Sequence, residues 1–142
     1  MIKEDDIYRV IDVNLNRSKE GLRVTEEFFR FIIKDEVLRK KLRRLRHKLD
    51  EVLKKDDFLK KLLQARNIQR DSGKKSDGLE FSGRDKKNIL FINFQRVKES
   101  LRVLEEFFKI IDKDKAKMIK KMRFQVYRIE KDAFLRTSVC NS

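Results

Sequence analysis

Asn14, Arg17, Glu20, Arg23 and Glu27 return 79 positions later as Asn93, Arg96, Glu99, Arg102 and Glu106. They belong to one pattern, N-x-x-R-x-K-E-[GS]-L-R-V-x-E-E-F-F-x-x-I, running from Asn14 to Ile32 and again from Asn93 to Ile111, with twelve identities in nineteen positions. A duplicated helix that serves only as scaffold need keep no more than its apolar stripe. This one also keeps an amide, two guanidiniums and two carboxylates. Guanidinium forks bind oxyanions in pairs of parallel hydrogen bonds, so the chemistry they suggest is the handling of anions. Other chemistries are harder to build. His47 is the single histidine and Cys140 the single cysteine, two residues from the end, so neither a His-rich metal site nor a Ser-His-Asp or Cys-His arrangement is available. There is no Gly-x-x-x-x-Gly-Lys-Ser/Thr loop and no Gly-x-Gly-x-x-Gly turn. Any phosphate must be held by arginines and helix ends.

The charge balance agrees. With 38 Lys+Arg against 24 Asp+Glu the formal charge is +14, a potential that attracts anions without saying which. A charged content of 44% also suits surface ion-pair networks of the heat-adapted kind, although pairing does not explain an excess of one sign. The chain, 142 residues long, has the size of one domain. It has no run of about 18 apolar residues for a membrane span, and its Met1-Ile2-Lys3-Glu4-Asp5 start lacks the apolar run of a signal peptide. The expectation is a cytoplasmic protein without membrane contact, in which Cys140 is incidental.

Helices must position the repeated residues. Periodicity predicts a first helix over 4–33, a second beginning after an Asp35 cap with Leu38, Leu42, Leu45, Leu49, Val52 and Leu53 on one stripe, and a short third over 58–65 behind Asp56 or Asp57. Gly73, Gly78 and Gly83 mark a polar loop from Asn67 to Lys87. Asn88 is a candidate cap for the helix carrying the second motif, and Asp112 to Asp114 mark its turn into a last helix, 115–135. At an offset of 80, Leu38-Arg-Lys-Lys-Leu42 lies over Met118-Ile-Lys-Lys-Met122. Each half is then a helical hairpin unable to hide its own apolar face. The predicted fold is all-α: a single domain, 1–142, forming a four-helix bundle from two pseudo-two-fold-related hairpins, 4–54 and 88–136, joined by the short helix and long loop of 57–87. Half-circumference apolar arcs on such short hairpins also make a homo-oligomer plausible.

A projection of the first helix places Asn14 in the middle of an apolar arc, Arg17 within it near the Val24 edge, and Glu20, Glu27 and then Arg23 just outside. An unpaired polar group in an apolar interface costs about 2–7 kcal/mol, so something must satisfy these. Two readings stand. Asn14 and Asn93 can hydrogen-bond across the pseudo-two-fold axis while Arg17 pairs with Glu20 and Arg96 with Glu99, or the seam can be a polar cleft with Gly21 and Ser100 giving close access. Lys19, Arg23, Glu26, Glu27 and Arg30 read as pairs on a solvated face, and the basic run from Arg39 to Lys48 as a wet surface.

Asn14 to Phe28, then Leu45-Arg46-His47-Lys48-Leu49, then Ala65-Arg66-Asn67 with Asp71-Ser72-Gly73, then Asn93 to Glu106 stand in the order of one known domain. The chain resembles, over nearly its whole length, the all-helical hydroxymethylpyrimidine phosphate kinases of bacterial thiamin synthesis, which occur alone or fused ahead of thiamin-phosphate synthase. It departs from that pattern at Asn67, where the family usually has Asp, and in a longer, more basic loop from Lys74 to Lys87. With no synthase domain after Ser142 the expected form is the free-standing one, with a functional link to the synthase.

The resemblance implies transfer of the ATP γ-phosphoryl group to hydroxymethylpyrimidine phosphate. A phosphate monoester with a second pKa of about 6 is largely dianionic at neutral pH and needs no strong base. What it needs is clustered cations and Mg2+. On that basis Arg17, Arg96 and Arg66 are the catalytic candidates. Asn14, Asn93, Arg23, Arg102, Arg46, His47 and Gly73 are candidates for binding substrate or nucleotide, and Glu20, Glu99, Glu27, Glu106 and Asp71 for holding the metal. His47 reads equally as a structural histidine. Rival readings are a basic helical nucleic-acid-binding module using the Arg39 to Lys48 helix, and a non-catalytic scaffold bundle. Against the first, the phenylalanines follow the core stripe and carboxylates interleave the cations.

Overall fold

The computed structural model describes residues 3–54, 57–66 and 85–140. Within them lie α1 (Glu4–Glu27), continued by a π-helical turn (Phe28–Ile33), α2 (Glu36–Leu53), α3 (Phe58–Ala65), α4 (Lys86–Ile111) and α5 (Lys113–Cys140), and no strand. Asp71 and Gly73 of the predicted loop lie outside the described residues, as does the side chain of Cys140. Among the described residues no helix is long and apolar enough to cross a membrane.

The helices form because apolar residues recur every three or four positions, and α2, α4 and α5 begin where an aspartate satisfies first-turn N–H groups, whereas Lys3 before α1 and Asp57, one of the two expected caps of α3, make no side-chain cap hydrogen bond. Asp35 accepts from the backbone N–H groups of Val37 and Leu38 at 3.1 and 3.2 Å. Asp112 does the same for Asp114 and Lys115. The cap of α4 is Asp85, which accepts from the N–H of Asn88 at 2.8 Å, three residues earlier than the Asn88 expected from sequence. The last helix likewise runs from Lys113 rather than Lys115 and continues to Cys140.

The caps reveal the true register of the second half. Asp35 and Asp112 are 77 residues apart, and at that spacing the buried Leu42, Leu45, Leu49 and Val52 fall on the buried Ile119, Met122, Val126 and Ile129. The offset of 80 read from Leu-Arg-Lys-Lys-Leu is therefore one turn out for the core stripe. It survives in the ion pairs Lys19–Asp50 and Lys98–Glu130 and in the buried pairs Leu42/Met122 and Leu49/Ile129, but sets Leu45 over half-buried Gln125 and Val52 over exposed Asp132. The change from 79 to 77 means that the first hairpin has two residues, Ile33 and Lys34, with no counterpart in the second. They are absorbed by the π-helical widening and by Lys34, whose φ of 61° is left-handed.

Neighbouring helices run antiparallel. Glu26 meets Arg46 and Lys19 meets Asp50 between α1 and α2; Glu105 meets Arg123 and Lys98 meets Glu130 between α4 and α5. The two hairpins join chiefly through α1 and α4. Ser18 Oγ and Ser100 Oγ lie 2.6 Å apart, and a Cβ on Gly21 would stand 2.6 Å from Val97 Cγ2. Since Ser18 corresponds to Val97 and Gly21 to Ser100, these are one crossing contact seen twice. α2 and α5 meet more loosely opposite, and α3 caps the end where Tyr8, Phe58 and Phe108 stack with centroids 5.9 and 5.8 Å apart. Ile11, Leu22, Phe29, Phe94, Leu101 and Phe108 fill the interior.

Two predictions arise here. Gly21→Ala gains about 1 kcal/mol of helix propensity, but the new Cβ also meets the Asn93 carbonyl oxygen at 3.1 Å, and Val97 is stiff about χ1 in a helix. The helices must part, and urea unfolding should show a net loss of about 1–3 kcal/mol; an unchanged midpoint would contradict this crossing. Asp112 is held below the usual aspartate range, first by the hydrogen bond from Lys115 Nζ at 2.9 Å and then by backbone N–H groups. A carboxylate depressed in the folded state stabilises above its unfolded pKa, and that contribution is lost as pH falls through the folded value. Asp112→Asn keeps a capping oxygen, so its small deficit at pH 7 should close as the pH drops below about 4. A deficit independent of pH would rule out the ionic contribution.

Candidate functional site: a guanidinium cleft between the repeats

Two catalytic candidates, one from each copy, line one cleft. Arg17 and Arg96, together with Asn14, Gln95, Glu99 and Ser100, surround an open space of about 560 Å3 at the α1/α4 seam, with Phe91 and Val103 as apolar wall. Of the repeated pairs only Arg17 and Arg96 both line it; the rest of the lining is Asn14 of α1 and residues of α4.

The guanidiniums are not on the core side. Both arginines are exposed, and among the described residues neither has a hydrogen bond or ion pair with a protein group. The buried sector of α1 is rotated away from the Val24 edge, where Val24 itself is 37% exposed, toward Glu26, which is 4% exposed. Long side chains at the vacated edge reach water. Asn14 and Asn93 are buried as expected, but they do not bond to each other. Each donates its amide N–H to its own helix four residues back, to the carbonyls of Val10 and Ile89 at 2.8 Å. Among the described residues Asn93 Oδ1 is buried without a partner, whereas Asn14 lines the cleft with its oxygen and its second amide hydrogen uncommitted. Nor does Arg17 pair with Glu20, or Arg96 with Glu99. That leaves two cations and two exposed carboxylates along the seam, with Glu99 in the cleft wall and Glu20 one turn from Arg17.

The remaining candidates are placed elsewhere. Arg66 is clasped by buried Asp12, Nε to Oδ2 at 2.8 Å and Nη2 to Oδ1 at 2.7 Å, which raises its pKa and pins the end of α3 to α1. Arg46 gives Nε to Glu26 Oε2 at 2.8 Å and lies with Arg23 in a separate pocket between α1 and α2, about 500 Å3, that also contains Arg30, Arg39 and Arg43. Arg102 joins Glu105 and Glu106 at 3.0 and 3.2 Å and lines a pocket of about 590 Å3 between α4 and α5. Glu27 is engaged by Arg23 at 4.0 Å. Glu106 takes Lys109 as well, and that hydrogen bond holds its pKa below the usual carboxylate range. His47 is exposed and belongs to none of these pockets. Among the described residues no three His, Cys, Asp or Glu side chains converge as a metal cage. Among the described residues Glu20 and Glu99 remain as unpaired oxygen donors, which suits a magnesium ion that takes one or two protein carboxylates and completes its shell with phosphate and water.

Glu26 and Glu105 are the residues missed. Glu26, read from sequence as part of a solvated face, and Glu105, given no role there, are 4% and 2% exposed and receive Arg46 and Arg123 from the neighbouring helix. Asp12 was missed too. The signal for the glutamates was their recurrence beside Glu27 and Glu106, combined with Arg46 and Arg123 at the spacing set by the Asp caps.

Residues 9–132 match the ThiD2 family. The chain is 38% identical over 125 residues to the thiamine-phosphate synthase of Nostoc punctiforme, covering 87% of this chain and 34% of that protein. It is 36% identical to the thiamine-phosphate synthase of Synechocystis (87% and 35% covered) and 31% identical to that of Rhodopirellula baltica (96% and 36%). The chain therefore spans about a third of the length of these curated relatives. No solved structure matches it. A helical chain whose repeated motif falls within the matched residues belongs to the ThiD2 family.

Proposed function

We infer that the chain is an enzyme of thiamine biosynthesis that transfers the γ-phosphoryl group of ATP to hydroxymethylpyrimidine phosphate, giving the diphosphate and ADP. The observation that carries this reading is the pair Arg17 and Arg96, brought from the two repeats into one open cleft and left without protein counter-ions among the described residues. Two polyanions must approach each other for this reaction, and guanidiniums at the cleft offset their repulsion. The bond between the γ-phosphorus and the β-phosphate oxygen breaks as one forms to an oxygen of the acceptor monoester, and ADP leaves with the electron pair. Because that acceptor oxygen is already anionic near neutral pH, the lack of a histidine or cysteine in the cleft is no obstacle.

Arg17 and Arg96 bind the phosphates at either side of the transferred group, and Asn14 Oδ1 accepts a hydrogen bond from a substrate N–H or O–H. Glu20 and Glu99 are the residues that would hold Mg2+, which when bound neutralises phosphate charge. Arg66 and Arg46, each engaged by a carboxylate, position α3 and α2 rather than meeting substrate. Family membership and the synthase relatives support the pathway. The test is ADP release from Mg-ATP with and without the pyrimidine monophosphate. Release that depends on the acceptor and is not replaced by simple alcohols supports the reading, while acceptor-independent hydrolysis or no release refutes it.

A further inference from the structure

The pseudo-two-fold pairs an arginine, half-buried Arg46 or buried Arg123, with a buried glutamate in each hairpin, yet the two pairs are in different states. In the first, Arg46 Nε reaches Glu26 Oε2 at 2.8 Å. In the second, Arg123 approaches both oxygens of Glu105 only at 3.5 Å, and its Nε is buried without an acceptor among the described residues. Arg123 is 9% exposed and lines the pocket between α4 and α5 with Gln95, Lys98, Glu99, Arg102 and Tyr127. A buried guanidinium with an unused donor carries a cost.

The halves also differ in aromatic content. The pocket of the first hairpin is lined by arginines and two glutamates, whereas the second presents Tyr127, 42% exposed, beside Phe124, 48% exposed, with ring centroids 6.1 Å apart. The Arg123 guanidinium stacks over both rings, at 5.1 and 5.9 Å, and Lys98 Nζ stands 5.3 Å from the Tyr127 centroid. Exposed aromatic and guanidinium planes are surfaces on which flat heterocycles stack. Half-buried Gln95 adds an amide that offers a donor and an acceptor together, the complement of an amine beside a ring nitrogen. Gln95 and Glu99 also form the wall shared with the Arg17/Arg96 cleft.

We propose that the α4/α5 pocket binds the amino-substituted heteroaromatic ring of a phosphorylated substrate, with Tyr127 as stacking face, Gln95 reading the amine edge and Arg123 as donor, so that its phosphates pass over the Gln95–Glu99 ridge to Arg17 and Arg96. This rests on the function inferred above. It assigns the ring to the second repeat, since the pocket of the first is lined by arginines and glutamates without an aromatic side chain. Both adenine and the aminopyrimidine carry the required edge, and the probes separate them.

Binding of ADP, of the pyrimidine monophosphate and of ring-free pyrophosphate is measured by calorimetry on the whole chain and on Tyr127→Leu and Tyr127→Phe, with thermal unfolding as a fold control. Tyr127→Leu should weaken one ring-bearing probe about tenfold, leave pyrophosphate unchanged and unfold like the parent, while Tyr127→Phe binds normally. Which probe weakens names the occupant. Both ring probes binding Tyr127→Leu as they bind the parent, neither binding the parent, or pyrophosphate weakening equally, each overturns the proposal. Ring binding that depends on Tyr127 without phosphoryl transfer would sink the kinase reading alone. Transfer with both KM values unmoved in Tyr127→Leu would sink the ring pocket alone.

Discussion

Arg17→Ala and Arg96→Ala should each lower turnover by about 10²–10³-fold, the cost of removing one charge-stabilising donor from a site where charge develops, while unfolding at the parent's temperature. The second half of that expectation comes from the geometry. Both side chains are exposed and make no bond to a protein group among the described residues, so deleting them leaves no buried group unsatisfied, and surface changes of this kind stay within about 0.5 kcal/mol. The double variant should fall less than the product of the single effects, because groups that grip the same phosphates act as a unit. Single-turnover rates with circular dichroism on the same samples decide the point. Loss of activity with loss of fold, or rates unaltered in a folded variant, would remove these residues from the chemistry.

Glu26→Ala is expected to produce the largest loss of stability, about 3 kcal/mol, because it abandons the mostly buried Arg46 guanidinium without its counter-ion. For a chain of this size that is roughly a 10 °C drop in Tm. The pair should be far less costly to remove together: Glu26→Leu with Arg46→Leu replaces two desolvated charges by apolar groups, and such exchanges are often neutral. A double variant as unstable as Glu26→Ala would mean that α1 and α2 depend on the ionic geometry itself.

Helix positions were legible because periodicity and caps are local. The stripe from Leu38 to Val52, the cap at Asp35 and the short helix at Phe58–Ala65 each need only a few consecutive residues to be recognised. The inward amides of Asn14 and Asn93 were legible too, since both copies put them at the centre of the apolar arc. Arg17 and Glu26 were not, because they occupy opposite edges of that arc. Which edge is buried depends on how tightly α1 meets α4 at Gly21 and α2 at Arg46, a property of packing between distant segments. The offset of 80 failed for a related reason. Leu-Arg-Lys-Lys-Leu and Met-Ile-Lys-Lys-Met look alike at a shift of nearly one turn, and only the caps Asp35 and Asp112, fixed by hydrogen bonds, set the register.

The most direct test of the cleft's purpose is phosphorus NMR of Mg-ATP and hydroxymethylpyrimidine phosphate incubated with the protein. The monoester resonance should decline as two coupled diphosphate resonances and those of ADP grow in equal amount. Persistence of the monoester, or conversion of ATP to ADP and inorganic phosphate alone, would contradict phosphoryl transfer between the two anions.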